Sequence, residues 1–306
     1  MRPDLAIDLG TAATRVHVAS RTIPLTRPST VWQEGGSRPA LRQGVIVDAD
    51  AAAGVLGELL RRAGSTRWRR PHALACVPTD ANEAERAAVV EAVQRAGAST
   101  VTIVVEPLAA AASAGLAPET KTALALVDVG EGVTDCAVVF EGRLVASAAL
   151  RIALADLRAT VRAWLDESLG IRVSPVEAER VLREAGVGRG WRTPHRLHVV
   201  GSPARGIGPL CAWLEVDALH AALDPVAERI ASHVAAFVAG LPVDLAADVS
   251  EAGVSVTGGG ALLAGMVERL VGELGLAVRR VPDPLLAVVD GARVLAGAGC
   301  ASVATR

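Results

Sequence analysis

The chain has 306 residues, 51% hydrophobic and 21% charged, with a formal net charge of −2. Such length and apolar content support one large or two medium cores and exclude wholesale disorder. A near-neutral charge argues against a nucleic-acid binder held mainly by phosphate neutralisation.

Residues 5–9 form an apolar run that reads as a strand, followed by the turn Gly10-Thr11-Ala12-Ala13 and an alternating run, Val16-His17-Val18. A strand this early leaves no room for a secretory signal. No uncharged apolar stretch reaches the roughly 18 residues that span a bilayer, so a cytoplasmic protein is expected. Residues 73–77 read as a buried strand ended by Pro78, and 83–96 as a helix with Asn82 as N-cap and Gly97 as its stop. A strand at 101–105 and an alanine-rich helix at 107–116 follow. A second strand–turn–strand unit runs through Asp128-Val129-Gly130-Glu131-Gly132-Val133-Thr134. A helix is expected at 176–185, then irregular connections over 186–210 with one strand at 197–200. Further on come a helix at 224–239, a strand at 254–256 and a helix at 262–274. The apolar face of that last helix is Leu263, Met266, Leu270, Val271 and Leu274. This alternation argues for an α/β fold. Cys76, Cys136, Cys211 and Cys300 stand at neither metal-ligand nor redox spacing.

The two hairpins echo each other. Asp8 to Thr14 and Asp128 to Thr134 both read D-x-G-x-x-x-T, each after an apolar run. Glycine lets backbone approach a phosphate closely and leaves N–H groups pointing at it. A carboxylate beside such a turn repels phosphate unless a cation lies between, so Asp8 and Asp128 suit outer, water-mediated ligands of a Mg²⁺ carried by the phosphates. An ordinary Asx turn explains either hairpin alone; the repeat favours the cation reading. A third cluster, Gly258-Gly259-Gly260, joins a strand to a helix and presents a helix N-terminus to an anion. A tight strand-to-helix connection explains it equally well. A P-loop is excluded, because the only lysine, Lys121, follows no such glycine pattern.

Three glycine-bearing turns in this order, with two hairpin aspartates, resemble the superfamily of actin, sugar kinases and heat-shock chaperones. The segments around residues 4–14, 77–111, 126–134, 256–263 and 283–295 narrow the resemblance to MreB-type bacterial actins over nearly the whole chain. The resemblance implies a duplicated ribonuclease-H-like actin/ATPase fold, with two facing domains and a nucleotide cleft between them. Domain I is expected at 1–116, with a return at 284–306. Domain II is expected at 117–283, divided into IIA (117–165 and 225–283) and IIB (about 166–224).

The same resemblance implies ATP and Mg²⁺ as cofactors. Gly10, Thr11, Ala12 and Ala13, with Gly130, Glu131, Gly132 and Thr134, would form the two phosphate loops. Glu106 falls where the family orients the attacking water, with Asp128 beside it; a helix N-terminal charge explains Glu106 equally well. Glu179 matches the acidic residue that bonds the ribose, with Arg183 nearby, and Gly258, Gly259, Gly260 and Ala261 would pack on the adenosine.

Three departures from the family pattern stand out. About a dozen residues, 32–43, replace the small subdomain IB, leaving one wall of the cleft open, with slow hydrolysis and weakened nucleotide affinity expected. Leu182 stands where a lysine is usual, with Arg183 next. Glu131 replaces the usual middle glycine of the second loop. The expected function is an ATP-binding, filament-forming cytoskeletal protein that positions cell-wall or spore-wall synthesis, with itself and the wall-synthesis machinery as partners. The alternatives are a non-polymerising regulator docked on a fuller actin homologue and, more weakly, a small-molecule kinase. Trp68 within Arg61, Arg62, Arg67, Arg69 and Arg70 suits a peripheral contact with the inner face of the membrane; a solvated arginine loop explains the cluster slightly better.

Overall fold

Two runs of strand and helix each build a five-stranded sheet. The computed structural model describes residues 3–33, 36–66, 68, 70–113, 121–188 and 194–298. In the first half β1 (Leu5–Leu9), β2 (Ala13–Val18) and β3 (Leu25–Pro28) form an antiparallel meander. Two small hairpins follow, β4 (Thr30–Gln33) with β5 (Gly36–Pro39), and β6 (Leu41–Arg42) with β7 (Val45–Ile46). Then come α1 (Ala49–Arg62), β8 (His72–Val77), α2 (Glu83–Arg95), β9 (Thr100–Val105) and α3 (Glu106–Ser113). The sheet order is β3-β2-β1-β8-β9, with β1, β8 and β9 parallel. β1 and β8 are buried along their whole length, as expected of parallel strands covered on both faces.

The second half repeats the plan. β10 (Leu124–Val129), β11 (Thr134–Phe140) and β12 (Arg143–Leu150) form the meander, followed by α4 (Leu154–Leu169), β13 (Ile171–Arg172) and α5 (Pro175–Ala185). Next are β14 (Arg196–Pro203), β15 (Leu210–Glu215), α6 (Val216–Ala239) and α7 (Val243–Ala252). β16 (Val254–Thr257), a 3₁₀ turn (Gly259–Leu262), α8 (Met266–Leu274) and β17 (Val278–Arg280) complete the half. Its sheet order, β12-β11-β10-β16-β17, matches the first half strand for strand, and β13, β14 and β15 form a separate small sheet. The last helix, α9 (Ala287–Ala298), returns to pack on α3, β1, β2 and β8.

Most elements follow the sequence pattern, and the differences have local causes. Asn82 caps α2 in a full capping box with Glu85. The region 186–210, expected to be irregular around one strand, instead holds a longer strand, β14, paired with β15. Leu197, Val199 and Leu214 bury one face of that hairpin while its loop residues dominate the composition. Helix α6 starts at Val216, not at 224, because it carries Pro225 in its interior and loses only one amide donor there. The helix expected at 262–274 is broken: Gly265, at φ 85°, separates the 3₁₀ turn from α8, and Val271 is exposed. The alanine-rich helix begins at Glu106 and is described to Ser113; its expected end at 116 lies outside the described residues.

The two sheets meet through α3 and α9. Ala6 and Leu74 from the first sheet, and Leu126 and Val139 from the second, join Ala109, Val289 and Ala292 in one buried cluster. Gly291 permits the close crossing, since a Cβ there would fall 1.6 Å from the Ala109 carbonyl oxygen. Gly291→Ala is expected to cost about 2 kcal/mol or more, as overpacking against backbone does. Urea unfolding followed by circular dichroism checks this; an unchanged midpoint would mean that the crossing relaxes freely.

Candidate functional site

The two hairpins are equivalent residue by residue. In β1–β2, Asp8 lies opposite Arg15 and Leu9 opposite Thr14; in β10–β11, Asp128 lies opposite Asp135 and Val129 opposite Thr134. Gly10 and Gly130 obey the same constraint. A Cβ at either would stand 3.0 Å from a backbone oxygen, of Ala13 in one turn and of Val133 in the other. The motif threonines face inward and brace the turns. Thr14 Oγ1 pairs with Ser29 Oγ at 2.8 Å, and Ser29 donates to the Gly10 carbonyl at 2.6 Å. Thr134 Oγ1 donates to the Ile152 carbonyl at 2.8 Å.

Both turns open onto one cavity of about 450 Å³. Its lining includes the glycine turns, the carboxylates Asp8, Asp128, Asp135 and Glu106, and the apolar side chains of Leu154, Leu182, Leu262, Leu263 and Leu285. Of the residues singled out by sequence, Asp8, Gly10, Thr11, Ala12, Ala13, Glu106, Asp128, Gly130, Glu131, Gly132, Glu179, Arg183, Gly258 and Gly259 line this space together. Thr134, Gly260 and Ala261 do not. Thr134 is fully buried behind its turn, and a Cβ at Gly260 would lie 2.3 Å from the Val129 side chain. Gly258, at φ 80°, brings its backbone against Asp128: a Cβ there would lie 2.2 Å from Oδ1.

The buried carboxylates are short of positive charge. Asp8 accepts from Arg15 Nη1 at 2.9 Å, yet burial outweighs that partner and raises its pKa. Burial, then the charges of Asp135 and Asp8, lift Asp128 to about 7. Burial lifts Asp135 to about 6, against the hydrogen bonds from Thr79. Glu106, the first residue of α3, is pushed well up by desolvation and by Asp8, Asp135 and Asp128. A divalent cation would relieve this set, so its chemistry fits a metal-bearing anion. Among the described residues no three His, Cys, Asp or Glu side chains converge closely enough to hold a metal directly.

The lining also carries an alternating ion chain. Arg158 Nη1 donates to Glu131 Oε2 at 3.2 Å and to Glu179 Oε2 at 2.8 Å, and Arg183 Nη2 donates to Glu179 Oε1 at 2.9 Å. Burial pushes the Glu179 carboxyl up, but Arg158 and Arg183 outweigh it and hold its pKa below the usual value. Arg15, Asp135 and Arg158 were not singled out by sequence. The first two sit directly across from Asp8 and Asp128, so hairpin register alone points to them. Arg158 lies on α4, a helix that carried no recognised signal.

The halves also touch across the cleft. Thr79 Oγ1 donates to Asp135 at 2.5 Å, and Arg151 reaches Asp80 at 2.8 Å and Glu85 at 3.0 Å. Gln43 Nε2 donates to the Arg151 carbonyl at 3.0 Å.

A strand–turn–strand unit made twice, on two matching sheets that face one cleft, is the architecture of the actin-like fold. Comparison with known proteins agrees. A family model described as MreB/Mbl protein matches residues 36–299. The cell shape-determining protein MreB of Escherichia coli (strain K12) is 32% identical, covering 94% of this chain and 91% of its own. The chain belongs to the MreB/Mbl family. The crystal structure of MreB 5 of Spiroplasma citri bound to AMPPNP superposes with a TM-score of 0.89 at 23% identity, over 98% of this chain and 97% of that one. The MamK double helical filament gives 0.75 at 19% identity, over 96% and 98%.

The raised carboxylates set a pH dependence. An unfolded aspartate titrates near ~3.9. Between that value and about 7, the ligand-free native state binds more protons than the unfolded chain. Its stability therefore falls as pH rises from ~4 through about 6 and 7, the folded values of Asp135 and Asp128, and levels off above them. Asp128→Asn is expected to melt higher than the unsubstituted protein at pH 8, by a smaller margin at pH 5, and close to it only near pH 4, by scanning fluorimetry without ligand. A lower melting temperature at pH 8 would mean that the ionised carboxylate stabilises the fold.

Proposed function

We propose that this member of the family binds ATP with Mg²⁺ between its two hairpin turns and assembles head to tail into filaments that take part in setting cell shape. The observation that carries the reading is the pair of equivalent turns, Asp8 to Thr14 and Asp128 to Thr134, opening onto one cavity lined by both carboxylates and apolar side chains. The backbone of Thr11 to Ala13 and of Gly130 to Gly132 would take the phosphates. Asp8 and Asp128 would hold the metal through waters, and the metal supplies the positive charge that lets phosphate approach them. Glu106 would orient the attacking water in a slow hydrolysis that regulates assembly. Glu179 would bond the ribose while Leu182, Leu262 and Leu263 take the base. The solved structures of MreB 5 bound to AMPPNP and of the MamK filament support both parts of the reading. We further propose that the hairpin β4–β5 stands in place of subdomain IB.

Asp128→Ala is expected to weaken Mg·ATP binding at least about tenfold by calorimetry, the scale of losing a charge partner in a partly desolvated site, and to abolish ATP-dependent pelleting. Unchanged affinity would remove the cleft assignment. A protein that binds ATP yet stays monomeric by electron microscopy would instead support a regulator that docks on a fuller actin homologue.

A peripheral membrane contact at Trp68 extends the reading. Its side chain is 91% exposed, and among the described residues no helix is long and apolar enough to cross a membrane. Trp68→Ala is expected to reduce co-sedimentation with anionic vesicles several-fold; equal sedimentation would leave the loop a solvated one.

A further inference from the structure

We propose that Arg158 is a nucleotide-positioning residue, which neutralises Glu131 inside the second turn and fastens that turn to Glu179 so that a phosphate chain can enter. The inference rests on the nucleotide reading above. Glu131 sits between Gly130 and Gly132, where a side chain reaches toward the cavity. Without a partner, its charge would add to those of Asp8, Asp128 and Asp135 and repel a polyphosphate. The fold supplies the counter-charge from the same turn. The Gly130 and Glu131 carbonyls accept from the amides of Leu154 and Ala155, which docks the start of α4 on the turn. One helical turn on, Arg158 comes back over the turn residues.

Both terminal guanidinium nitrogens are used. Nη2 faces Glu131 Oε1, while Nη1 lies 3.2 Å from Glu131 Oε2 and 2.8 Å from Glu179 Oε2. A lysine cannot reproduce this fork. Arg183 closes the far side of Glu179 at 2.9 Å, so the chain of four charges sums to zero. The cavity wall is thus neutral as long as Arg158 is present. Without it, a turn-borne carboxylate faces the incoming phosphates and Glu179 loses one of its two anchors.

Calorimetric affinities for ATP, ADP and adenosine, with Mg²⁺ present, test this in the full chain for the unsubstituted protein, R158A, R158K, E131G and E131G/R158A. R158A is expected to lose about tenfold or more toward ATP, less toward ADP and least toward adenosine. R158K should fall between R158A and the unsubstituted protein. The double variant should regain ATP affinity to within about threefold of E131G, a rescue that a purely structural role of Arg158 would not produce. If R158A does not fold, R158Q is measured in its place and read in the same way. Unchanged ATP affinity in R158A would overturn the inference. So would a double variant as weak as R158A, which would place Arg158 directly on the nucleotide. An unsubstituted protein that binds no ATP would overturn the nucleotide reading itself, and is told apart because it requires no variant.

Discussion

Asp8, Glu106, Asp128 and Asp135, four of the carboxylates that line one cavity, with Arg15 the one guanidinium bonded to any of them among the described residues, form the constraint on which the site depends. Each carboxylate is brought there by an element that has little freedom. Asp8 and Asp128 are the penultimate residues of the central strands of their sheets, Asp135 is fixed opposite Asp128 by register, and Glu106 opens the helix that packs between the halves. The charge is therefore a consequence of the duplicated fold. Carboxylates held against desolvation raise their pKa values and weaken the ligand-free state. On the function proposed above, a metal-bearing phosphate would supply the missing charge, so that ligand binding and the cohesion of the two halves would be coupled.

The contacts between the halves are of two kinds. The α3–α9 crossing, tight enough to require Gly291, joins the sheets on one side of the cleft. On the other side the contacts are polar: Thr79 on Asp135, Arg151 on Asp80 and Glu85, and Gln43 on the Arg151 carbonyl. A packed hinge with polar ties opposite is the pattern in which small changes at a ligand can open or close a cleft. Asp135 belongs to both the acidic cluster and the ties, so charge in the cavity and closure of the halves share one side chain.

Much of this was legible in the sequence because the hairpin repeat is a local signal with a global meaning. D-x-G-x-x-x-T encodes strand, turn and bracing threonine within seven residues, and its recurrence locates both halves. What the sequence concealed was of two kinds. The β14–β15 hairpin and the start of α6 were hidden by composition, since loop-forming residues and Pro225 look like breaks when their neighbours in space are unknown. Arg158 was hidden because its role is tertiary: nothing in the sequence around it marks an arginine that answers a glutamate 27 residues earlier. Thr134, Gly260 and Ala261 carry the motif without reaching the cavity, which shows that motif residues also serve to hold the turns in shape.

The most direct measurement is the affinity of the unsubstituted protein for ATP, taken once with Mg²⁺ and once with EDTA. Binding that is tight with the metal and falls at least about tenfold without it is expected, because Asp8 and Asp128 tolerate phosphate only through a cation. Equal affinity in the two conditions, or no binding in either, would contradict the central claim.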